Sequence, residues 1–255
     1  MVSDSDIQLA GRLADAAGAA IRPFFRQRFE IETKGDSSPV TEVDRAAEAA
    51  IRALLATERP ADGVIGEEYG IDRGDAERVW VLDPIDGTRA FIGGRPIFGT
   101  LIALLEAGRP VLGVIDQPIS GERWLGASGH PTIFQGAPAQ TRRCPTIPSA
   151  LFATTAPWLF DTLGERWFET LRMRCRDTLL GGDCYNYGLL ASGHIDLVVE
   201  QGLKLYDFAA LVPVVEGAGG RMCDWQGRAL GDSSDGRVIA VGDPALADAV
   251  LTLFG

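Results

Sequence analysis

The chain has 255 residues, of which 46% are hydrophobic, and this is enough to bury the core of one large domain or of two closely packed ones. Its 35 acidic and 24 basic side chains give a formal charge of −11, which would repel nucleic acid and anionic membranes over most of the surface. No apolar run approaches the roughly 18 residues of a membrane-spanning helix, and the N-terminus lacks the basic segment of a signal peptide, so we expect a cytoplasmic protein.

The first half of the chain reads as helices packed against a sheet. Apolar residues recur at helical spacing over residues 4–28, and Thr41 followed by Asp44 predicts a capped second helix that ends near residue 57. A polar loop is expected between these helices, at 34–39. Strands are then predicted at 64–66, 79–83, 100–105, 111–116 and 123–125.

The pattern changes near residue 140 to alternating strands and helices, which predicts two α/β halves, 1–140 and 141–255. In the second half, strands are predicted at 151–155, 195–200 and 238–242, and helices at 161–172, 183–193, 207–218 and 244–253. Pro213 should kink the third of these helices or lie within its first two turns, where the missing amide costs less.

The cysteines and histidines do not form a recognisable site. The four cysteines show no C-x-x-C spacing, so we expect reduced structural thiols. His130 lies in a Gly/Pro-rich loop and His194 beside Gly193 at a predicted helix end. A catalytic triad or a histidine-rich metal site is therefore poorly supported.

Two carboxylates lie where a predicted strand breaks into a polar turn. The segment 80–88 reads WVLDPIDGT, with Asp83 and Asp86 three residues apart. Pro84 cannot continue a sheet ladder, so Asp83 should project from the end of the strand. Close carboxylates repel each other unless a cation lies between them, and a set of oxygen ligands favours Mg²⁺ over Zn²⁺. The alternative is a simple polar turn, because Asp-Pro and Asp-Gly are ordinary turn dipeptides.

Further carboxylates follow other predicted strands. Glu67 and Glu68 come directly after the strand at 64–66, so two strand ends could deliver acidic groups to one place. Glu200 ends a later strand, and Asp207 begins a helix seven residues on. Each has an ordinary alternative: a solvated Glu pair, a solvated strand end or a helix cap.

In order and spacing, these segments resemble the three metal-binding motifs of the inositol monophosphatase family of Mg²⁺-dependent phosphatases. The motifs are GEE at 66–68, DPIDGT at 83–88 and YDFAA at 206–210, and the resemblance covers residues from about 34 to 220. Tyr206 departs from the family, which often has Trp there, whereas the carboxylate of Asp207 is retained. The resemblance implies an α/β (α+β) fold, a layered αβαβα sandwich, and a homodimer.

The resemblance also implies two to three Mg²⁺ ions in each active site. One ion would be held by Glu67, Asp83 and the backbone carbonyl of Ile85. A second would be held by Asp83, Asp86 and Asp207, with Asp83 shared between the two. A third, weaker ion would lie near Glu67. Acidity and a phosphorylated substrate are compatible, because bound divalent cations dominate the electrostatics of their site.

The chemistry implied by the resemblance is hydrolysis of a phosphate monoester by a metal-activated water, without a covalent intermediate. Thr88 paired with Asp44 would activate the water, and Glu68 could assist. Amides at the start of a helix after Gly87 would bind the phosphate, whereas Arg89 could be a phosphate contact or simply exposed. The residues expected to bind substrate are Glu67, Ile85, Asp86, Gly87, Thr88, Arg89, Gly182, Asp183, Glu200 and Asp207.

The sequence around the motifs resembles the histidinol-phosphatase branch of the family, at 86–96, 181–185 and 202–207. Histidinol phosphate carries an ammonium and an imidazole, so extra carboxylates beside the phosphate site favour it over inositol phosphate. Asp183 and Glu200 are the candidates, with a helix cap and a solvated strand end as the alternatives. We therefore expect an L-histidinol-phosphate phosphatase of histidine biosynthesis. The alternatives are an inositol monophosphatase, a nucleotide 3′,5′-bisphosphate phosphatase and a metal-binding regulatory protein without turnover.

Overall fold

The computed structural model describes residues 2–28, 31–33 and 39–254, so most of the loop predicted at 34–39 lies outside the described residues. The helices are α1 (Asp4–Ile21), α2 (Glu42–Glu58), α3 (Thr88–Ile92), α4 (Thr162–Arg174), α5 (Tyr185–Ala191), α6 (Leu205–Phe208), α7 (Leu211–Gly217) and α8 (Pro244–Phe254). The strands are β1 (Ile31–Thr33), β2 (Pro39–Thr41), β3 (Gly63–Gly66), β4 (Gly70–Asp72), β5 (Arg78–Asp86), β6 (Gly99–Glu106), β7 (Arg109–Gln117), β8 (Glu122–Ala127), β9 (Ile133–Phe134), β10 (Ala137–Pro138), β11 (Leu151–Thr154), β12 (Asp177–Leu180), β13 (Leu197–Glu200), β14 (Arg221–Cys223) and β15 (Val238–Val241).

The two N-terminal helices differ in how well the sequence predicts their ends. Thr41 caps α2 as predicted: its hydroxyl accepts the N–H of Val43 at 3.1 Å, and the Asp44 carboxylate accepts the N–H of Thr41 at 2.9 Å. The prediction that α1 continues to residue 28 is wrong, because α1 ends at Ile21 and a 3₁₀ turn follows. Pro23 lies in that turn and lacks the N–H that a continuing α-helix needs.

Two sheets form the framework of the described residues. The larger has eight strands in the order β10-β9-β8-β7-β6-β5-β3-β4, which are antiparallel except for the parallel pair β3 and β5. The smaller has five strands in the order β12-β11-β13-β15-β14, with β11 parallel to both of its neighbours. A separate antiparallel pair joins β1 to β2.

Side chains that alternate along the strands form three hydrophobic cores. One core surrounds the central helices between the two sheets, and the other two lie on the outer faces of the sheets. On β5, Trp80 and Leu82 pack with α1 and α2, whereas Val79 and Val81 pack on the opposite face with α5 to α7. The smaller sheet contributes Val198 to that central core and packs its other face against α4 and α8. The layer order is therefore αβαβα, and the fold expected from the family resemblance is confirmed.

The boundary predicted near residue 140 falls between the last strand of the larger sheet and the first strand of the smaller one. The central core nevertheless contains side chains from both halves. The division into 1–140 and 141–255 stays a prediction.

Among the described residues, no helix is both long and apolar enough to cross a bilayer.

The elements of the second half differ from the prediction in several places, among them strand β14, which was not predicted. The helix predicted over 207–218 is two helices, α6 and α7, and Pro213 lies in the first turn of α7, where its missing N–H leaves no helical hydrogen bond unmade. The helix predicted at 183–193 begins only at Tyr185. Strand β12 was not predicted because it is an edge strand whose Leu179 and Leu180 are exposed, so it lacks a buried alternating face.

Candidate active site

Parallel pairing of β3 with β5 brings the acidic residue that follows β3 next to Asp83 of β5. Gly66 is the register partner of Leu82, so the residues that follow them, Glu67 and Asp83, are neighbours. The N–H of Glu67 donates to the carbonyl of Leu82 at 3.1 Å and extends the pairing by one residue. The two carboxylates therefore converge as the sequence predicts. The predicted end of the strand at Asp83 is wrong, because β5 continues through a register shift to Asp86.

The segment after Asp83 is an irregular part of β5 that is fixed by hydrogen bonds to its backbone. Pairing between β5 and β6 shifts register between Asp83 and Asp86, and the Asp83 carboxylate accepts the N–H of Ile85 at 3.0 Å. The hydroxyl of Thr88 donates to the carbonyl of Ile85 at 3.1 Å. This irregularity turns Asp86 towards the same cavity as Asp83, as β-bulges next to active sites often do.

A third carboxylate reaches the cluster from the second half of the chain. Asp207 lies in the first turn of α6, where its carboxylate accepts the N–H of Lys204 at 2.6 Å. One carboxylate oxygen from each of Asp83, Asp86 and Asp207 lies within 4.8 Å of the others. The N–H of Cys184 donates to Asp86 at 2.6 Å and holds that side chain in place. Asp207 is thus both a helix-capping group and a member of the acidic cluster.

The electrostatics of this cluster favour a bound cation. Burial, then repulsion from neighbouring carboxylates, raises the pKa of Asp83 and of Asp86 well above the usual value. The contact of Asp83 with Glu67 adds to that rise. Burial raises the pKa of Asp207 to about 7, and Glu67 contributes repulsion there as well. A divalent ion would relieve this repulsion, and oxygen ligands suit a hard ion such as Mg²⁺. The residues present fit a metal site.

Gly87 begins the segment expected to bind phosphate. Its φ of 86° lies in the left-handed region, which Gly adopts without strain, and α3 starts at the next residue as predicted. A Cβ at this position would lie 3.0 Å from the carboxyl group of Asp183, so a side chain would close the space between the turn and Asp183. Arg89 lines the same cavity and is exposed.

A cavity of about 640 Å³ opens beside the acidic cluster. Most of the predicted site residues line it: Glu67, Asp83, Ile85, Asp86, Gly87, Thr88, Arg89, Asp183, Glu200 and Asp207. Gly182 lies directly before Asp183, with a φ of 120°. Two residues predicted to act in catalysis, Asp44 and Glu68, do not belong to the lining formed by the described residues.

Asp183 and Glu200 line the cavity from the second half of the chain, and Asp183 lies directly against Gly87. Asp183 has a φ of 44°, unusual for a residue other than glycine, and burial raises its pKa to about 6. Helix α5 begins two residues later without a side-chain cap, so the interpretation of Asp183 as a helix cap is wrong. Glu200 accepts hydrogen bonds from the N–H and hydroxyl of Thr155, at 2.9 and 2.5 Å, and from the hydroxyl of Tyr187 at 3.0 Å. The interpretation of Glu200 as a solvated strand end is also wrong, because only 6% of it is exposed.

Asp44 and Glu68 lie outside the cavity lining formed by the described residues. Asp44 is fully buried on α2, where burial first and then Glu67 raise its pKa. Among the described residues, nothing donates a hydrogen bond to its Oδ1 atom. The Thr88 hydroxyl donates to Ile85 in this structure, so its pairing with Asp44 stays a prediction, as does assistance by Glu68.

The sequence did not predict several residues of the cavity. Thr155 follows β11, the parallel neighbour of β13, so the strand-end argument used for Glu67 could have found it. Tyr187 and Trp158 carry no such signal, because an aromatic residue in a helix or loop is usually a core or surface residue. Arg95 and Lys204 add two cations to the lining.

Comparison with known proteins agrees with this geometry. The chain matches the inositol monophosphatase family over residues 3–254. The chloroplastic bifunctional phosphatase IMPL2 of Arabidopsis thaliana is 47% identical over 255 residues, covering 95% of this chain and 74% of that protein. A histidinol-phosphatase of Chlorobaculum parvum is 37% identical over 225 residues, covering 88% and 87%.

A solved structure of an inositol monophosphatase from Zymomonas mobilis superposes with a TM-score of 0.92 at 61% identity, covering 100% of this chain and 99% of that one. The match of sequence over nearly the whole length, together with the acidic cluster at the strand ends, leads to one conclusion. The chain belongs to the inositol monophosphatase family of phosphatases.

Proposed function

We propose that this protein is a Mg²⁺-dependent phosphate monoester hydrolase whose preferred substrate is L-histidinol phosphate. The observation that carries the first part is the cluster of Asp83, Asp86 and Asp207, whose carboxylate oxygens lie within 4.8 Å of one another at a cavity. Membership of a phosphatase family supplies the reaction class.

The acidic residues of the cavity would hold the metal. Glu67, Asp83, Asp86 and Asp207 would supply carboxylate oxygens, and the turn after Asp83 would add the carbonyl of Ile85. Bound Mg²⁺ would neutralise the phosphate, activate water and stabilise the leaving oxygen.

The chain's own groups would position the substrate. The backbone amides of Gly87 and Thr88 would donate to the phosphate, and Arg89 lies close enough to the cavity to add a charged contact. We assign the orientation of the attacking water to the Thr88 hydroxyl with Asp44, whose Oδ1 atom has no hydrogen-bond partner among the described residues. Glu68 is a weaker candidate because it lies outside the cavity lining in the described part of the chain.

The substrate preference rests on two further carboxylates of the cavity, Asp183 and Glu200. Asp183 and Glu200 line the cavity together, and three hydrogen bonds to Glu200 favour its ionised form. A leaving group with an ammonium and an imidazole would satisfy these carboxylates better than one with hydroxyls alone. Relatives named histidinol-phosphatase support this assignment.

Inositol 1-phosphate is the second candidate substrate. The observation in its favour is the 61% identity to a structure named as an inositol monophosphatase. Gly182, Asp183 and Glu200 would then contact hydroxyl groups instead of cations.

Steady-state kinetics on one preparation tests the proposal. We expect kcat/KM for histidinol phosphate to exceed that for inositol 1-phosphate and for adenosine 3′,5′-bisphosphate by at least about tenfold, which is about 1.4 kcal/mol. A tenfold preference for inositol phosphate would reverse the assignment of substrate. Absence of Mg²⁺-dependent phosphate release from all three esters would favour a regulatory protein without turnover.

The Asp83→Asn variant supplies the control for contaminating phosphatases. Loss of a direct ligand should lower the rate of Mg²⁺-dependent phosphate release by more than the 10- to 100-fold typical of groups around a metal site. We therefore expect a loss above about 100-fold with every ester.

We also propose a homodimer in the cytoplasm, which sedimentation and cell fractionation would test.

A further inference from the structure

A buried carboxylate on α2, Glu48, holds the turn that carries Glu67. Glu48 is fully buried, and its two oxygens accept the backbone N–H groups of Glu68 at 2.8 Å and of Tyr69 at 3.2 Å. The turn after β3 is thus attached to α2 through a side chain, directly next to a residue of the acidic cavity. Charged acceptors make stronger hydrogen bonds than neutral ones, so this attachment is firm.

The carboxylate of Glu48 lies against the backbone of Gly66. A Cβ at Gly66 would lie within 1.9 Å of a Glu48 oxygen, so the turn closes around Glu48 only because residue 66 has no side chain. The contacts of Glu48 therefore begin at residue 66 and continue to residue 69, with Glu67 between them. On the other side, the N–H of Glu67 is fixed to the carbonyl of Leu82.

Arg52 compensates the buried charge and extends the attachment. Its Nε atom lies 2.7 Å from Glu48, one helical turn along α2, and its Nη2 atom donates to the carbonyl of Gly70 at 2.5 Å. A buried carboxylate is costly unless it is paired and fully hydrogen-bonded, and Glu48 meets both conditions. The same helix carries Asp44 one turn earlier, so both buried carboxylates lie on the face of α2 towards this edge of the sheet.

We propose that Glu48 is a positioning residue, which holds the turn at 66–70 so that the Glu67 carboxylate is preorganised for the metal. This inference rests on the proposed role of Glu67 as a metal ligand. Groups that orient metal ligands typically contribute 10- to 100-fold to metal affinity. Glu48 touches neither substrate nor metal in this account, and it acts only through the backbone of the turn.

The test compares isosteric replacements of two buried carboxylates. Glu48→Gln keeps the size of the side chain but replaces one acceptor with an amide donor that faces the N–H groups of the turn. Asp6→Asn is the matched control, because Asp6 is equally buried and is paired with Arg59 and Arg78, but lies on α1 away from the cavity. The measurement is Mn²⁺ affinity, from the electron paramagnetic resonance signal of free Mn²⁺, together with the Mg²⁺ dependence of phosphate release.

We expect Glu48→Gln to raise the Kd for Mn²⁺ and the half-saturating Mg²⁺ concentration by about tenfold, with kcat at saturating Mg²⁺ within about threefold of wild type. Asp6→Asn should leave both metal constants within about twofold while lowering stability. If Glu48→Gln does not fold, Glu48→Asp decides in the same assay, because a carboxylate withdrawn by one methylene should also weaken Mn²⁺ binding.

The Glu67→Gln variant separates the proposed role of Glu67 as a metal ligand from the proposed positioning role of Glu48. If Glu67→Gln weakens Mn²⁺ binding but the Glu48 variant binds as wild type does, the positioning role is wrong. An equal weakening in Asp6→Asn would also overturn it, because a general loss of stability would then explain the effect. If Glu67→Gln itself binds Mn²⁺ normally, the proposed ligand set fails instead.

Discussion

At Glu200, hydrogen bonds from two different elements converge on one buried carboxylate. Thr155 follows β11 and donates through its N–H and its hydroxyl, and Tyr187 on α5 donates through its phenol. Burial raises the pKa of Glu200 to about 7, against these donors, which lower it. The ionised form of Glu200, which would attract a cationic substrate, therefore depends on the donors and increases as the pH rises through about 7.

The Tyr187→Phe variant tests this dependence. It removes one hydrogen bond to a charged group, which contributes about 1.5 to 3 kcal/mol. We expect kcat/KM for histidinol phosphate at pH 7 to fall by at least about tenfold, and the variant to recover part of this loss at pH 8.5, where more Glu200 is ionised. Phenyl phosphate, which carries no cation on its leaving group, is the control substrate and should lose less than about threefold. An equal loss of kcat/KM for both esters would mean that Tyr187 acts through packing of the core and not through Glu200.

The sequence predicts the acidic residues of the site better than the residues that hold them in place through hydrogen bonds. Asp83 and Asp86 are recognisable because proline and glycine around them mark the end of a strand. Tyr187 and Glu48 lie within helices that look ordinary, and their roles follow only from which backbone or carboxylate they reach in three dimensions. Long-range partners of this kind leave no periodic signal in one sequence.

At the scale of elements, capping chemistry was more predictable than helix length. The cap of α2 by Thr41 follows from the spacing of Thr and Asp alone. The apolar period at the end of α1 continues past Ile21 although the helix does not, because Phe24 and Phe25 still pack against the core from the 3₁₀ turn and the residue after it. Apolar spacing reports which side is buried, whereas Pro23 decides where the α-helix stops.

The first turn of α1 is also the centre of an ionic network. Asp6 is 1% exposed, and one of its oxygens accepts from Arg59 at 3.0 Å and Arg78 at 2.7 Å, whereas the other accepts from the cap residue Ser3. These donors outweigh burial and hold the pKa of Asp6 well below its usual value of 3.8. The network joins α1 to the end of α2 and to β5.

Replacing Asp6 with Asn should lower the free energy of unfolding by about 2 kcal/mol at pH 7, the contribution of hydrogen bonds to a charged group. Because the pKa is lowered on folding, this contribution is complete above about pH 4 and is lost as the pH falls further. Urea denaturation of wild type and variant would measure it, with the exposed Asp4→Asn as control, expected to change by less than about 0.5 kcal/mol. A difference from wild type that persists unchanged at pH 2.5 would contradict this assignment.

At the scale of the whole molecule, the five layers gather carboxylates from distant parts of the chain. Glu67 follows β3 and Asp83 lies on its neighbour β5 in the larger sheet. Asp207 lies in the first turn of a helix of the central layer, and Glu200 ends a strand of the smaller sheet. The fold thus concentrates negative charge in one cavity, at a cost to its own stability. Most of the family's layer order could be inferred from three short motifs, whereas edge strands such as β12 could not.

Repulsion among the buried carboxylates predicts that, in the absence of metal, the protein becomes less stable as the pH rises. Burial raises the pKa of Asp83, Asp86 and Asp207, the last to about 7, so the folded protein binds more protons than the unfolded chain between about pH 4 and 7. We expect the free energy of unfolding in EDTA to fall between pH 5 and pH 8. Mg²⁺ at 100 times its Kd should restore about 2.7 kcal/mol at pH 8. If Mg²⁺ stabilises Asp83→Asn as much as wild type, the ion does not bind at the cluster that contains Asp83.

An anomalous-difference map from crystals of the full chain soaked in Mn²⁺ would locate the metal ions directly. If distant carboxylates form one divalent-metal centre, the strongest peak will lie within bonding distance of Asp83 and of Asp86 or Asp207, with a second peak on the Glu67 side of Asp83. A map in which Mn²⁺ occupies other parts of the surface, while the cluster of Asp83, Asp86 and Asp207 stays empty at saturating concentration, would show that these carboxylates are not a metal site.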